Sequence, residues 1–116
     1  MTESIYPDEY LEFIRLFNDE RFFEAHEVLE ALWRRENGTP KPFYQGLIQI
    51  AAAFVHLQKG TPAGAPPLYQ KAFSHLEPFL PSFSGLDLNV LLTAAHQAIF
   101  GHTSFPKIYT PRGQKL

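Results

Sequence analysis

Three features of the sequence predict an all-α fold, a single compact five-helix bundle with an extended C-terminal tail. First, apolar residues recur at three- and four-residue spacing through most of the chain, the period of amphipathic helices. Second, helix punctuation falls between these stretches: Asn37-Gly38 is a stop pair, Gly60 another stop, and Pro7, Pro42 and Pro66 are starts. Third, no stretch alternates apolar and polar residues for long enough to read as a strand. A length of 116 residues is enough for one core without staples. The whole chain reads as one domain, with an N-terminal arm over 1–6 and a tail over 101–116.

Taken in order, Tyr6-Pro7-Asp8-Glu9 places Pro at a first helical position and acids in the first turn. The first helix runs to about Asn18, with Phe13, Ile14, Leu16 and Phe17 inward. Asn18 or Asp19 is then free to cap a second helix over roughly Arg21 to Glu36. Thr39-Pro40-Lys41-Pro42 reads as a turn, and Pro42 opens a third helix that Gly60 closes. Thr61 to Pro67 has the composition of a rigid linker. The fourth helix starts with Pro66 in its first turn, buries Leu68, Tyr69, Ala72, Phe73, Leu76 and Phe79, and ends at Pro78 and Pro81. Asp87 is a cap for a fifth helix over Leu88 to Phe100, whose inner stripe is Leu88, Leu91, Leu92, Ala95 and Ile99.

Composition narrows the function classes. There is no Cys, which excludes a thiolate nucleophile, a disulfide framework and a Cys-based zinc site. Net charge of −2 supplies no electrostatic attraction for nucleic acid, and none is expected as a partner. Through Glu36 there are ten acids against four Arg, and beyond it two acids against six Lys and Arg. The acids occupy the outer faces of the first two helices, and Lys107, Arg112 and Lys115 are too sparse for a phosphate patch. No apolar run reaches spanning length and the acidic start lacks the form of a signal peptide, so a cytoplasmic protein without a membrane partner is expected.

The third helix is apolar around nearly its whole circumference, as the middle rod of a bundle should be. Gln45, Gln49 and His56 break that rule, falling within about 40° of one another on the helical wheel. A second anomaly lies on the preceding helix. His26 and Glu30, stacked four residues apart, fall inside the apolar arc of Phe22, Phe23, Ala25, Val28, Leu29, Leu32 and Trp33. A carboxylate facing a core must be paired and hydrogen-bonded, so Glu30 needs a partner. The periodicity therefore predicts a polar cluster between the two helices: His26 and Glu30 facing Gln45, Gln49 and His56. Trp33 forms a wall and Gly46 lets the two helices approach.

The spacing His26-x-x-x-Glu30-x-x-Trp33 within FNDERFFEAHEVLEALWR, followed by YQGLIQIAAAFVHLQKG, resembles the family of domain of unknown function 309, the TTHA0068-like group. The likeness covers roughly Phe17 to Leu80. It implies a compact multi-helical bundle, attaches functional importance to His26, Glu30 and Trp33, matches Gln45, Gly46 and Gln49 to a second signature, and implies no activity. One departure is Ala65-Pro66-Pro67, where family members carry a polar, helix-favouring segment.

Two functional readings follow. In one, the chain is a non-enzymatic helical module whose cluster is structural or binds a small polar ligand, Trp33, Gln45, Gln49 and His56 being the ligand-binding set. In the other it is a hydrolase with His26 or Glu30 as general base, since a His–Glu pair in an apolar cleft is a place where a base works near neutral pH. A metal held by His26, Glu30 and His56 would give three ligands and an open position. The sequence nevertheless lacks the second His of a zincin helix and the Glu-x-x-His of di-iron bundles. It identifies no cofactor. Aromatic residues in the arm and tail offer a surface for a second copy of the chain.

Overall fold

The structure, a computed structural model, describes residues 5–109. The first four residues of the arm and the 110–116 segment, with Arg112 and Lys115, lie outside the described residues. Five α-helices make up the described fold: α1 (Asp8–Asn18), α2 (Phe22–Arg35), α3 (Pro40–Lys59), α4 (Ala65–Leu76) and α5 (Leu88–Phe100). α3 is the middle rod. It packs most extensively on α4 and next on α2, while α1 lies against α2 and α5 against α4 and α3. Phe43, Leu47, Ile50 and Phe54 of α3 are fully buried, as its apolar circumference requires.

Two aromatic nests flank that rod. Phe43 meets Tyr10, Tyr44, Phe79 and Phe83, with ring centroids 4.9 to 6.0 Å away. At the other end Phe17, Phe22 and Phe54 form a triangle of rings at 5.0 to 5.7 Å. Such edge and tilted pairs add specificity to the area they bury.

Several boundaries differ from expectation, each for a local reason. α3 begins at Pro40 rather than Pro42, because both prolines fit a first turn whose N–H groups have no intrahelical partner. α2 has no side-chain cap. Its N-cap position is Arg21, beyond Asn18 and Asp19, and Asn18 serves the tail: its Nδ2 donates to the Ile108 carbonyl at 3.1 Å and its Oδ1 accepts from the Ile108 N–H at 2.7 Å. α1 is instead closed by its backbone, with Glu20 at φ 60° and the Arg21 N–H donating to the Leu16 carbonyl at 2.9 Å. The same closure ends α3, where Gly60 stands at φ 79° and the Thr61 N–H reaches the His56 carbonyl.

The linker is more ordered than its composition implies. Pro62–Gly64 forms a 3-10 turn that runs directly into α4, whose first residue, Ala65, is buried. Phe73 is a correction to the predicted inner face of α4, since it is 38% exposed. After a 3-10 turn over Glu77–Phe79, a two-residue hairpin pairs β1 (Ser82–Phe83) with β2 (Leu86–Asp87), Phe83 opposite Leu86. Its Ser84-Gly85 turn has positive φ at both residues, 49° and 79°, the geometry that matches strand twist in a tight hairpin. Asp87 caps α5 as expected, accepting the Val90 N–H at 3.0 Å. The chain after α5 is extended, and it contributes to the core: Phe105 packs on Phe22 and Phe54, and Ile108 is buried.

Candidate functional site

Where α2 and α3 face each other, Glu30, Trp33, Gln45, Ile48 and Gln49 line a cleft of about 120 Å³. Four of these five are polar or amphipathic residues that periodicity alone assigns to the cluster. Ile48, buried, supplies apolar lining.

Each of three polar lining residues is held from outside the cleft. Glu30 pairs through Oε1 with the Arg34 guanidinium at 3.2 Å, one turn along the same helix, and its side chain is 32% exposed. That exposure places the carboxylate at a rim, where hydration as well as Arg34 offsets its charge. Trp33 is covered by Lys41, whose Nζ lies 4.3 Å from the ring centroid and donates to the Trp33 carbonyl at 2.6 Å. This cation–π contact and the cap on a C-terminal carbonyl both fix the indole. Gln49 is held by α4: its Oε1 accepts from His75 Nδ1 at 2.8 Å. Because a carbonyl oxygen only accepts, Nδ1 carries the proton in this pair.

One lining residue is left with an unmet need. The Trp33 Nε1–H is buried and has no hydrogen-bond partner among the described residues. Leaving such a donor unpaired costs on the order of 1–3 kcal/mol, and buried polar groups are rarely left so.

His26 does not line the cleft. It stacks on Phe23 at 6.1 Å, its Nδ1 is buried without a partner, and no hydrogen bond joins it to Glu30. His56 belongs to a different place. Its Nδ1 pairs with the Thr61 Oγ1 at 2.9 Å and its ring packs on Gly64, where an added Cβ would come within 2.6 Å of it. The wheel superimposed His56 on Gln49, but seven residues of helix separate them by about 10 Å along the axis. Among the described residues no three His, Asp or Glu side chains converge as metal ligands would, so His26, Glu30 and His56 do not assemble into a ligand set. Gly46 also needs correcting. A Cβ there would meet Leu76 at 2.5 Å and the Ala72 carbonyl at 3.2 Å, so it admits α4, not α2.

His75 is the residue that sequence reasoning passed over. On α4 it falls at the edge of the apolar stripe, as many half-exposed histidines do; only the packing of α4 on α3 reveals its partner. Larger hollows border the 107–109 segment, of about 210 and 420 Å³. No buried unpartnered side-chain nitrogen or oxygen lines either of them.

Comparison with known proteins agrees with this architecture. The family model described as domain of unknown function (DUF309) matches residues 10–68, which include all five cleft residues. The crystal structure of TTHA0068, a conserved hypothetical protein of Thermus thermophilus, superposes with a TM-score of 0.70 at 33% identity, covering 82% of this chain and 98% of that one. The uncharacterized protein YpuF of Bacillus subtilis (strain 168) is 32% identical over 75 residues. That match takes in 63% of this chain and 43% of YpuF, so the chain spans less than half the length of this relative. Among the described residues no helix is long and apolar enough to cross a membrane. By the extent of the family match and of its likeness to TTHA0068, this chain belongs to the DUF309 family, a family of helical proteins to which no function is yet attached.

Proposed function

We propose that the chain is a small-molecule-binding module and that the cleft between α2 and α3 is its site. The observation that carries this reading is the buried, unpartnered indole N–H of Trp33, a residue in the wall of a cleft where Glu30 and Gln49 are already anchored. A donor held rigid and unsatisfied is what a binding site keeps ready for a ligand's acceptor. A purely structural network would have consumed it. The size of the cleft fits a small occupant: a cavity of ~150 Å³ holds a benzene ring, so about 120 Å³ admits a group slightly smaller. His26, outside this lining, acts at most through the position of α2.

The test is a fragment screen by fluorescence of Trp33, which is the single Trp of the chain. Small polar compounds are expected to change its emission, and Gln45→Tyr, which fills the cleft, is expected to abolish the response while leaving the helical circular dichroism unchanged. Compounds that bind the filled variant as well as the parent, or a screen without a single response, would contradict the assignment.

A further inference from the structure

The orientation of the anchored groups gives the cleft a polarity, and from it we infer that the ligand's recognised end is a small primary carboxamide. This inference rests on the cleft being a binding site. Glu30 offers an acceptor on one side, its carboxylate one-third exposed and paired through Oε1 with Arg34. Trp33 offers only a donor, since an indole has no acceptor, and that donor is unpaired. Gln49 would be ambiguous on its own, but His75 removes the ambiguity. With its Oε1 committed to His75 Nδ1, the polar group Gln49 has left for the cleft is its amide N–H₂. The lining therefore holds one carboxylate acceptor, two N–H donors and the Gln45 amide, which can take either role, with Ile48 beside them.

A carboxamide answers all of these at once: its N–H₂ donates to Glu30, and its carbonyl oxygen accepts from Trp33 Nε1 and Gln49 Nε2. A carboxylate of the same size is repelled by Glu30. An alkylammonium satisfies Glu30 but leaves the two donors facing nothing, which is the costly arrangement. His75 is then a specificity-determining positioning residue: it never meets the ligand, yet it decides which end of Gln49 does.

The probes are acetamide, acetate and ethylammonium, titrated into the ¹⁵N-labelled chain while the one indole ¹H–¹⁵N resonance is followed. Acetamide is expected to move that resonance and to bind at least about tenfold more tightly than either ion, the worth of one unmade hydrogen bond. Gln49→Glu, which replaces the donor with a second acceptor, is expected to turn the preference to ethylammonium. Should that variant fail to fold, His75→Phe frees the Gln49 amide to rotate and is expected to erode the preference for acetamide over ethylammonium. A free small amide and a glutamine side chain share this chemistry, and N-acetylglutamine N-methylamide separates them. Tighter binding than acetamide places the source in a peptide, and weaker binding places it in a free metabolite. If an ion moves the indole resonance and acetamide does not, the polarity is wrong while the cleft stands as a site. If nothing moves it and the fragment screen is also silent, the reading of the cleft falls with it.

Discussion

Gly46 sets how closely α3 and α4 meet. Its missing side chain leaves the space that Leu76 fills, at 2.5 and 2.8 Å from where a Cβ would stand. Gly46→Ala gains about 1 kcal/mol of helix propensity but drives a methyl into a packed leucine and a backbone carbonyl. Overpacking of this kind costs ~1–3 kcal/mol, so a net loss of stability is expected from urea unfolding. Because α4 carries His75, the same variant is expected to weaken ligand binding at the cleft. Tyr10 is a simpler case. It is fully buried, burial pushes its hydroxyl pKa far up, and its O–H donates to the Ser84 carbonyl at 2.8 Å, tying α1 to the hairpin. Tyr10→Phe is expected to cost ~1 kcal/mol in the same measurement, one hydrogen bond with little change of packing. At this scale the sequence was legible wherever a residue's own helix explained it. The wheel groups Glu30, Trp33, Gln45 and Gln49, and all four line one cleft. The roles of Gly46 and His75 lie outside its reach, because a wheel gives a face and not the neighbour across it.

Between elements, polar ties fix register where the apolar pattern leaves latitude. Arg35 at the end of α2 pairs with Glu9 at the start of α1, 2.7 Å apart. The Glu9 carboxyl is held below its ordinary value by its own backbone N–H in the first helical turn and by the Arg35 guanidinium. A depressed carboxylate adds stability that is present above the unfolded-state pKa and is lost as pH falls through the folded one. Glu9→Gln is therefore expected to be less stable than the parent at pH 7 by at most ~1 kcal/mol, the range of partly exposed pairs. That gap should close on titration below the ordinary carboxylate value of 4.5. Asn18 shows why such ties escape a sequence reading. It is the last residue of α1, three positions short of Arg21 at the cap of α2, and its amide is tied to Ile108, ninety positions away. A partner so distant leaves no mark on the local pattern, and nothing near Asn18 in the sequence announces it.

Across the whole molecule, the chain after α5 acts as a strap that closes the far end of the bundle. Phe105 packs at 4.9 Å from Phe22 and 5.0 Å from Phe54, and Asn18 holds Ile108 behind it. Phe105→Ala is expected to destabilise the fold by about 2–3 kcal/mol, somewhat less than a fully buried Phe loses, because Phe105 is only half-buried. The cleft lies elsewhere, between α2 and α3, so its ligand binding is expected to survive the same change. The helical order was visible in the periodicity of each segment and in Gly60, Pro66 and Asp87; the strap was not, since extended segments carry no period. What the fold achieves is to bring α2 and α4 against two sides of one rod, so that Arg34, Lys41 and His75 can each fix a lining residue of the same small cleft. The most direct measurement is a crystal structure of the chain soaked in acetamide. The account predicts density between Glu30 and Trp33, with the ligand oxygen about 2.7–3.2 Å from Trp33 Nε1 and its nitrogen toward Glu30. An empty cleft, with the indole N–H donating to an acceptor of the protein itself, would contradict it.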